Sequence, residues 1–157
     1  MFTGFRRLFK YITGDNADGA KVAMTCPVLT LIQPAAGPFC RSTFAVSFMV
    51  PWAVQAGGGA PAPNDGDTVV KATGGATFYV AQRGGWAMDD ASATAMAANL
   101  VAALERDGVA VSGDAHFLAG YDPPFRLLRR HNELWIPATV ADMEAFWGKE
   151  EGGVAAE

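Results

Sequence analysis

The feature that most constrains the fold of this chain is a repeated order of segments, in which one helix is followed by two strands. The second strand of each copy ends in apolar residues and a proline, as FMVP at residues 48–51 and as LWIP at residues 134–137. Such a repeat predicts two copies of one supersecondary unit that share a core. The second copy has a further strand before its helix, TFYVAQR at residues 77–83, whereas the chain begins directly at the first helix. We therefore expect either that the first strand of the first copy is absent or that this sequence is a truncated version of a longer domain.

Hydrophobic periodicity predicts the elements of the first copy. Residues 2–13 place apolar side chains on one helical face and basic side chains on the other, namely Phe2, Phe5, Leu8, Phe9 and Ile12 against Arg6, Arg7 and Lys10. Residues 21–33 and 39–50 are predicted to be two strands. Because proline donates no hydrogen bond, Pro27 is expected at a bulge or at a sheet edge.

The second copy follows a connection rich in glycine and proline at residues 55–67. Two strands, a helix and two further strands are predicted at residues 68–73, 77–83, 88–108, 115–121 and 131–136. The last residues, 138–157, hold one short amphipathic stretch, VADMEAFWG, and a polar end.

Composition narrows the functional classes. Half of the 157 residues are hydrophobic, which is enough for one domain with a core. Charged residues make up 18%, the net charge is −4 and the pI is about 5.1, which argues against a nucleic-acid partner. No apolar run approaches the roughly 20 residues of a transmembrane segment.

The two cysteines, Cys26 and Cys40, do not form a disulfide framework. A hairpin centred near Ala36 would place Cys26 opposite residue 46, out of disulfide reach of Cys40. Few cysteines, and an N-terminus without the apolar core of a signal peptide, favour a reducing compartment. We expect the cytoplasm or an organelle, such as a plastid or mitochondrion, rather than secretion.

Five separated motifs carry a resemblance to a known family over residues 4–137. They are GFRRLFKYITGDN, KVAMTCPVL, SFMVP, APAPNDGDTV, and AGYDPPF followed by RRHNELWIP. The chain resembles the SOUL, or haem-binding protein, family. The resemblance implies an α+β fold in which two pseudo-symmetric strand–helix–strand–strand repeats form a curved antiparallel sheet or distorted barrel with two packed helices, here with the first strand missing. It also implies a domain at residues 1–137, a tail at residues 138–157, and non-covalent binding of haem or another tetrapyrrole.

Two features depart from the family pattern. The first strand is absent, and Cys26 stands where the family usually has serine, threonine or alanine. The absent strand bears on any iron ligand, because some members are proposed to use a histidine from that region.

The resemblance implies a tetrapyrrole groove between the first helix and the loop at residues 121–130. The expected cofactor-binding residues are Phe5, Arg6, Leu8, Phe9, Tyr121, Phe125, Arg126, Leu128 and Arg129. Apolar side chains, Leu127 among them, would pack on the ring, and arginines, Arg130 included, would meet its carboxylates. Two other interpretations are open: the helix face is core with solvated charges, or the loop is a structural turn that buries Tyr121 and Phe125.

Three residues are candidate iron ligands. Neutral imidazole is a common haem ligand, which makes His116 and His131 candidates. Cys26 precedes a proline, a dipeptide found where thiolate meets haem. The alternatives are histidines that are hydrogen-bonded or exposed, and a cysteine that serves as a small hydrophobe.

Two functions are compatible with these patterns. The first is a tetrapyrrole-binding module for carriage, buffering or sensing. The second is a ligand-free subunit of a protein assembly, in which a partner chain pairs with the open sheet edge. That edge could instead be covered by residues 138–147, or the tail could dock a partner through Met143, Phe146 and Trp147. An enzyme is the least supported class, because the sequence has no nucleophile elbow, phosphate loop or paired acid motif.

Overall fold

The computed structural model of the chain describes residues 2–33, 42–85, 90–111, 115–123 and 125–148. The elements in chain order are α1 (Phe2–Ile12), β1 (Val28–Gln33), β2 (Thr43–Phe48), α2 (Trp52–Ala56), β3 (Phe78–Arg83), α3 (Asp90–Arg106), β4 (His116–Gly120), β5 (Asn132–Pro137) and α4 (Val140–Trp147). The described strands form one antiparallel sheet in the order β2-β1-β4-β5-β3. The predicted α+β class is confirmed, with an open curved sheet rather than a closed barrel.

The order of the strands follows the sequence repeat. The central strands β1 and β4 pair with each other, and each is flanked by the second strand of its own copy. In the second copy β3 pairs with the outer side of β5, from Phe78 opposite Pro137 to Arg83 opposite Asn132. Among the described residues no strand pairs with the outer side of β2. The repeat therefore ends in an open edge at β2, as the sequence predicted.

The two long helices lie on one face of the sheet. Alternate residues of a strand share a face, and Ile32, Phe44 and Leu118 form a cluster with Ala93 of α3. A second cluster joins Met96 of α3 to Leu134 and Ile136. On the same face, α1 packs over β2, at the end of the strand order opposite β3. A Cβ on Gly4 would stand 3.4 Å from Val46 Cγ2, an ordinary van der Waals distance, so the first turn of the helix lies directly against the strand.

The tail helix α4 covers the opposite face, near β3. Phe146 packs edge-to-face against Phe78 and Phe117, at centroid distances of 5.1 and 5.4 Å. Thr139 caps the helix by accepting the N–H of Asp142. The predicted helix is thus confirmed, but the alternative that it covers the open edge is wrong, because α4 packs on the side of the sheet that holds β3.

Three local predictions are corrected. Residues 68–73 are not a strand; the segment after them is tied to α4, where the Gly74 N–H donates to Ala145 O at 2.8 Å. The strand predicted from residue 21 begins only at Val28, and Pro27 stands before it rather than at a bulge or edge, because a proline cannot join the ladder. The register also differs from the prediction, because Val28 pairs with Phe48, whereas a turn centred near Ala36 would pair it with Phe44.

That register aligns position 26 with position 50. The turn residues 34–41, which include Cys40, lie outside the described residues. Among the described helices, none combines the length and the hydropathy needed to span a bilayer.

Candidate ligand-binding site

The two halves of the predicted site lie at the same end of the sheet. Val28 pairs with Phe48 on one side and with Gly120 on the other. Phe48 contacts Phe5 of α1, and the loop between β4 and β5 begins directly after Gly120. The helix and the loop are therefore separated at this end by the width of β1 and its two neighbours.

Three phenylalanines form a series from solvent to the sheet, which we call the aromatic ladder. The rings of Phe9 and Phe5 are stacked at 6.1 Å, and Phe5 meets Phe48 edge-to-face at 5.3 Å. Phe9 remains 49% exposed, whereas Tyr11 and Ile12 are buried and Leu8 is half-buried. The interpretation that the apolar face of the helix is only core is right for Ile12 and wrong for Phe9.

The basic residues of α1 divide into two groups. Arg7 pairs with Asp67 at 2.6 Å and with Asp65 at 3.6 Å, which ties the helix to the connection between the two copies. Tyr11 adds a hydrogen bond from its hydroxyl to Pro61 O at 2.6 Å. Arg6 and Lys10 are exposed, and within the described part of the chain neither forms an ion pair.

The loop between β4 and β5 is held from inside by Arg130, which is only 5% exposed. Its Nη1 donates to Pro123 O and Arg126 O, each at 2.8 Å, and its Nη2 donates to Asp122 O at 3.1 Å. Because its guanidinium is buried beneath the loop and bonded to backbone carbonyls, the expected contact between Arg130 and a ligand carboxylate does not fit its position.

Asp122 closes the same loop with its side chain. The carboxylate accepts the His131 N–H at 2.5 Å and pairs with Arg126 Nη1 at 2.7 Å. The hydrogen bond from the His131 backbone is the main reason that the pKa of Asp122 lies below its ordinary value, and the charges of Arg126 and Arg130 add to it. The loop is therefore held in one shape by buried polar contacts.

The outer side of the loop is apolar. Phe125 and Leu128 are 82% and 80% exposed, and Leu127 is 69% exposed. The interpretation that the loop buries Phe125 is thus wrong, whereas Tyr121 is half-buried. Arg129 is exposed and has a φ of 53°, in the left-handed region that residues other than glycine rarely adopt. Pro124 lies outside the described residues.

A polar cluster around Glu133 lies beside the loop, on the face of the sheet opposite α3. Glu133 Oε2 accepts from the Tyr121 hydroxyl and from Trp135 Nε1, both at 2.8 Å. The pKa of Tyr121 is raised to about 12, mainly by burial and secondly by the hydrogen bond to Glu133. Burial also tends to raise the pKa of Glu133, but the donors Trp135, Tyr121 and His131 outweigh it, and this pKa lies below its usual value.

The same cluster engages both ring nitrogens of His131. Its Nδ1 lies 3.0 Å from Gln82 Nε2, and its Nε2 lies 2.7 Å from Glu133 Oε1. Because an amide nitrogen donates, this arrangement corresponds to the tautomer in which Nδ1 accepts from Gln82 and Nε2–H donates to Glu133. A metal could reach Nδ1 only by displacing Gln82. The alternation of Glu133 and Trp135 on one strand face was visible in the sequence, but the approach of Gln82 depends on the pairing of β3 with β5.

The other two candidate iron ligands lie apart from each other. His116 is buried at the far end of β4, opposite Ile32 and four residues before the strand reaches the loop. Cys26 is exposed just before β1 and close enough to Tyr121 to contribute to its raised pKa. The structure thus places Cys26 and His131 at the loop end of the sheet, with His131 held on the face opposite α1 and α3, and leaves His116 at the other end of β4. Within the described ranges, no group of three or more His, Cys, Asp or Glu could hold a metal ion.

The fold and the site define a class of protein: a two-repeat α+β domain with an apolar and basic surface between its first helix and its last hairpin loop. Comparison with known proteins agrees. The family model for "SOUL heme-binding protein" matches residues 1–137. This chain belongs to the SOUL heme-binding protein family.

Individual relatives support the same assignment. "Heme-binding protein 2" from Homo sapiens is 31% identical over 134 residues, which are 85% of this chain and 64% of the relative. "Heme-binding protein 1" from Mus musculus is 34% identical over 130 residues, which are 83% of this chain and 67% of the relative. The chain thus spans about two thirds of the length of these relatives.

Proposed function

We propose that this chain binds haem or a related tetrapyrrole non-covalently, between the aromatic ladder and the loop at residues 121–131. The observation that supports the proposal is that exposed apolar side chains, and basic side chains that form no ion pair with a described residue, lie on α1 and on the loop, two elements at the same end of the sheet. Membership of the family, and relatives whose names state heme binding, support the choice of ligand.

The residues present fit the chemistry of such a ligand. A tetrapyrrole such as haem is an apolar plate with carboxylates on one edge, so it needs an apolar surface and cations beside it. Phe9 and the loop supply the first. Arg6, Lys10 and Arg129 supply the second, in a chain whose net charge is −4. The buried arginine, Arg130, would fix the loop rather than touch the ligand.

Packing and carboxylate contacts, rather than a preformed iron ligand, would provide most of the affinity. His131 is held through both nitrogens, and His116 lies at the other end of β4. Cys26 is the exposed candidate on this side. A surface site of this kind favours reversible exchange, which suits carriage or buffering in the cytoplasm or an organelle more than permanent retention of a cofactor.

Titration with hemin in detergent-free buffer tests the proposal. We expect a saturable change near one hemin per chain with a sharp Soret band. Replacing Phe9 with Ser should weaken binding by about 1–3 kcal/mol, the range for one important interface side chain. Trp52→Ser is the matched control, because Trp52 is an equally apolar and even more exposed residue on α2. A featureless, non-saturating absorbance change in the wild-type protein would contradict binding.

The contribution of iron ligation is measured in the same assay. Alanine variants of His116, His131 and Cys26 separate the three candidates. A shifted Soret maximum in one variant would identify that residue as a ligand. Unchanged spectra in all three would support binding by packing and carboxylate contacts alone.

A second function is favoured by the open edge of β2. The equivalent edge in the second copy is occupied by β3. The strand Thr43–Phe48 has no charged residue or proline, which are the usual means of preventing edge pairing. A strand from a partner chain would pair there antiparallel, and the chain would then act as a subunit of an assembly.

Hydrogen exchange on a proven monomer tests this second function. The amides of β2 that do not bond to β1 should exchange fast alone and slowly once a partner strand is added. Slow exchange at all β2 amides in the isolated monomer would contradict an open edge.

A further inference from the structure

We infer that residues 125–129, here called the loop tip, dock into the surface of an anionic lipid bilayer. This goes beyond tetrapyrrole binding, because it requires no tetrapyrrole. The loop tip presents Phe125, Leu127 and Leu128 within four positions, each more than two thirds exposed. The other exposed large apolar residues are dispersed along the chain, for example Trp52, Val69 and Val140. Contiguous exposed apolar surface marks an interaction site, whereas single residues do not.

The backbone of the loop tip is partly hydrogen-bonded within the loop. A segment that enters the apolar part of a bilayer must satisfy its backbone polar groups within the protein. Within the tip, the Arg126 carbonyl accepts from Arg130 at 2.8 Å, and the Leu128 carbonyl accepts from Arg126 Nε at 3.3 Å. The Arg126 N–H donates to Pro123 O at 3.1 Å. These bonds favour insertion of the side chains to the depth of the headgroups, where the other backbone groups stay hydrated.

The charge of the loop tip selects an anionic surface. Along the chain, Asp122 is the acidic residue nearest to the tip. Its carboxylate is bonded to Arg126 and to the His131 N–H, and only 6% of its side chain is exposed. Arg129 is exposed and forms no ion pair with a described residue. Basic residues beside inserted apolar side chains attract bilayers that contain anionic lipids.

The shape of the loop tip favours a bilayer over a small molecule as the occupant of its outermost side. A small ligand is buried in a concave site, and a flat ring that packs between the tip and the aromatic ladder covers only one side of the tip. Three protruding side chains around a rigid turn match the soft boundary between headgroups and acyl chains. The loop tip would enter that boundary, while α1 and the part of the ligand site that faces it remain beside the membrane.

Flotation of the hemin-free protein with vesicles tests the inference. We expect the wild-type protein to float with mixed phosphatidylcholine–phosphatidylserine vesicles and to bind phosphatidylcholine vesicles less. The double variant Leu127→Ser/Leu128→Ser should partition at least roughly tenfold more weakly, because two inserted apolar side chains are lost. Arg129→Gln should reduce binding to the serine-containing vesicles alone. The matched control Trp52→Ser/Val69→Ser removes equally exposed apolar residues elsewhere and should bind as the wild type does.

Two results would overturn the inference. One is equal vesicle binding by the wild type and the Leu127→Ser/Leu128→Ser variant. The other is no flotation of the wild type at millimolar lipid. If size-exclusion chromatography then shows a dimer that the same variant abolishes, the loop tip is a contact between copies of the chain. Hemin titration of these variants is scored separately. A wild-type protein that floats with vesicles but does not bind hemin would contradict only the tetrapyrrole proposal.

Discussion

The helices α1 and α3 hold equivalent places in the two copies of the repeat, yet they use their apolar residues differently. α3 buries Ala93 and Met96 against the sheet and takes part in both core clusters. α1 buries Tyr11 and Ile12 but keeps Phe9 half in solvent at the end of the aromatic ladder. One helix therefore completes the core, while the other retains apolar surface beyond what folding uses. We propose that the ligand binds at this exposed apolar surface, beside basic side chains that form no ion pair with a described residue.

The largest expected effect is the loss of protein stability when an apolar side chain is removed from α3 rather than from α1. Met96→Ala on α3 should lower the free energy of unfolding by about 2–5 kcal/mol, because it leaves a cavity beside Leu134 and Ile136. Phe9→Ala on α1 should lower it by less than about 1 kcal/mol, since the side chain is half exposed. Urea denaturation of both variants measures the difference. Equal losses would show that α1 is as much a core helix as α3.

A smaller effect is expected from the arginine inside the loop. Arg130→Ala removes the donor to three backbone carbonyls, so it should destabilise the protein by about 1–3 kcal/mol and loosen the loop. Arg129→Ala, one position away and exposed, is the matched control and should change stability by no more than about 0.5 kcal/mol. Thermal and urea unfolding of the pair check the prediction, and a reversed order would contradict the internal support described for the loop.

The smallest effect concerns Tyr121, which joins the loop to Glu133. With its folded-state pKa at about 12, above the ordinary value of 10.0, Tyr121 stays neutral in the fold while it ionises in the unfolded chain. Its contribution to stability is complete below the unfolded pKa and is lost as the pH rises through the folded one. Ultraviolet titration of the native protein should therefore contain a tyrosine step near pH 12 that is absent in Tyr121→Phe. If the variant keeps that step, the hydrogen bond to Glu133 is not formed as described.

The sequence predicted the elements well where side chains alternate with a clear period. Phe44, Val46 and Phe48 repeat every second residue and form one face of β2, and residues 2–13 have helical spacing that α1 follows. The prediction for residues 68–73 was wrong because α4, a distant element, provides the hydrogen bonds that hold the chain just after them. A local sequence pattern does not predict a hydrogen bond to a residue that lies about 70 positions away in the chain.

The sequence names candidate residues for the site but does not assign their roles. Arg126, Arg129 and Arg130 are alike in sequence, and only the folded loop places Arg130 beneath the backbone and Arg129 in solvent. Likewise His131 looks available as a ligand until the register of β3 and β5 brings Gln82 against its ring. Which arginine is structural and which histidine is engaged depends on contacts between distant segments.

Nuclear magnetic resonance mapping with zinc protoporphyrin, a diamagnetic tetrapyrrole, tests most directly the claim that α1 rather than α3 carries the ligand surface. Addition of the porphyrin should shift the backbone signals of Arg6, Phe9 and Lys10, together with those of residues 121–129, in a saturable manner. Signals from α3 around Met96 should remain unchanged, because that face is buried in the core. Shifts that concentrate on α3 and β3, with none on α1 or the loop, would contradict the account.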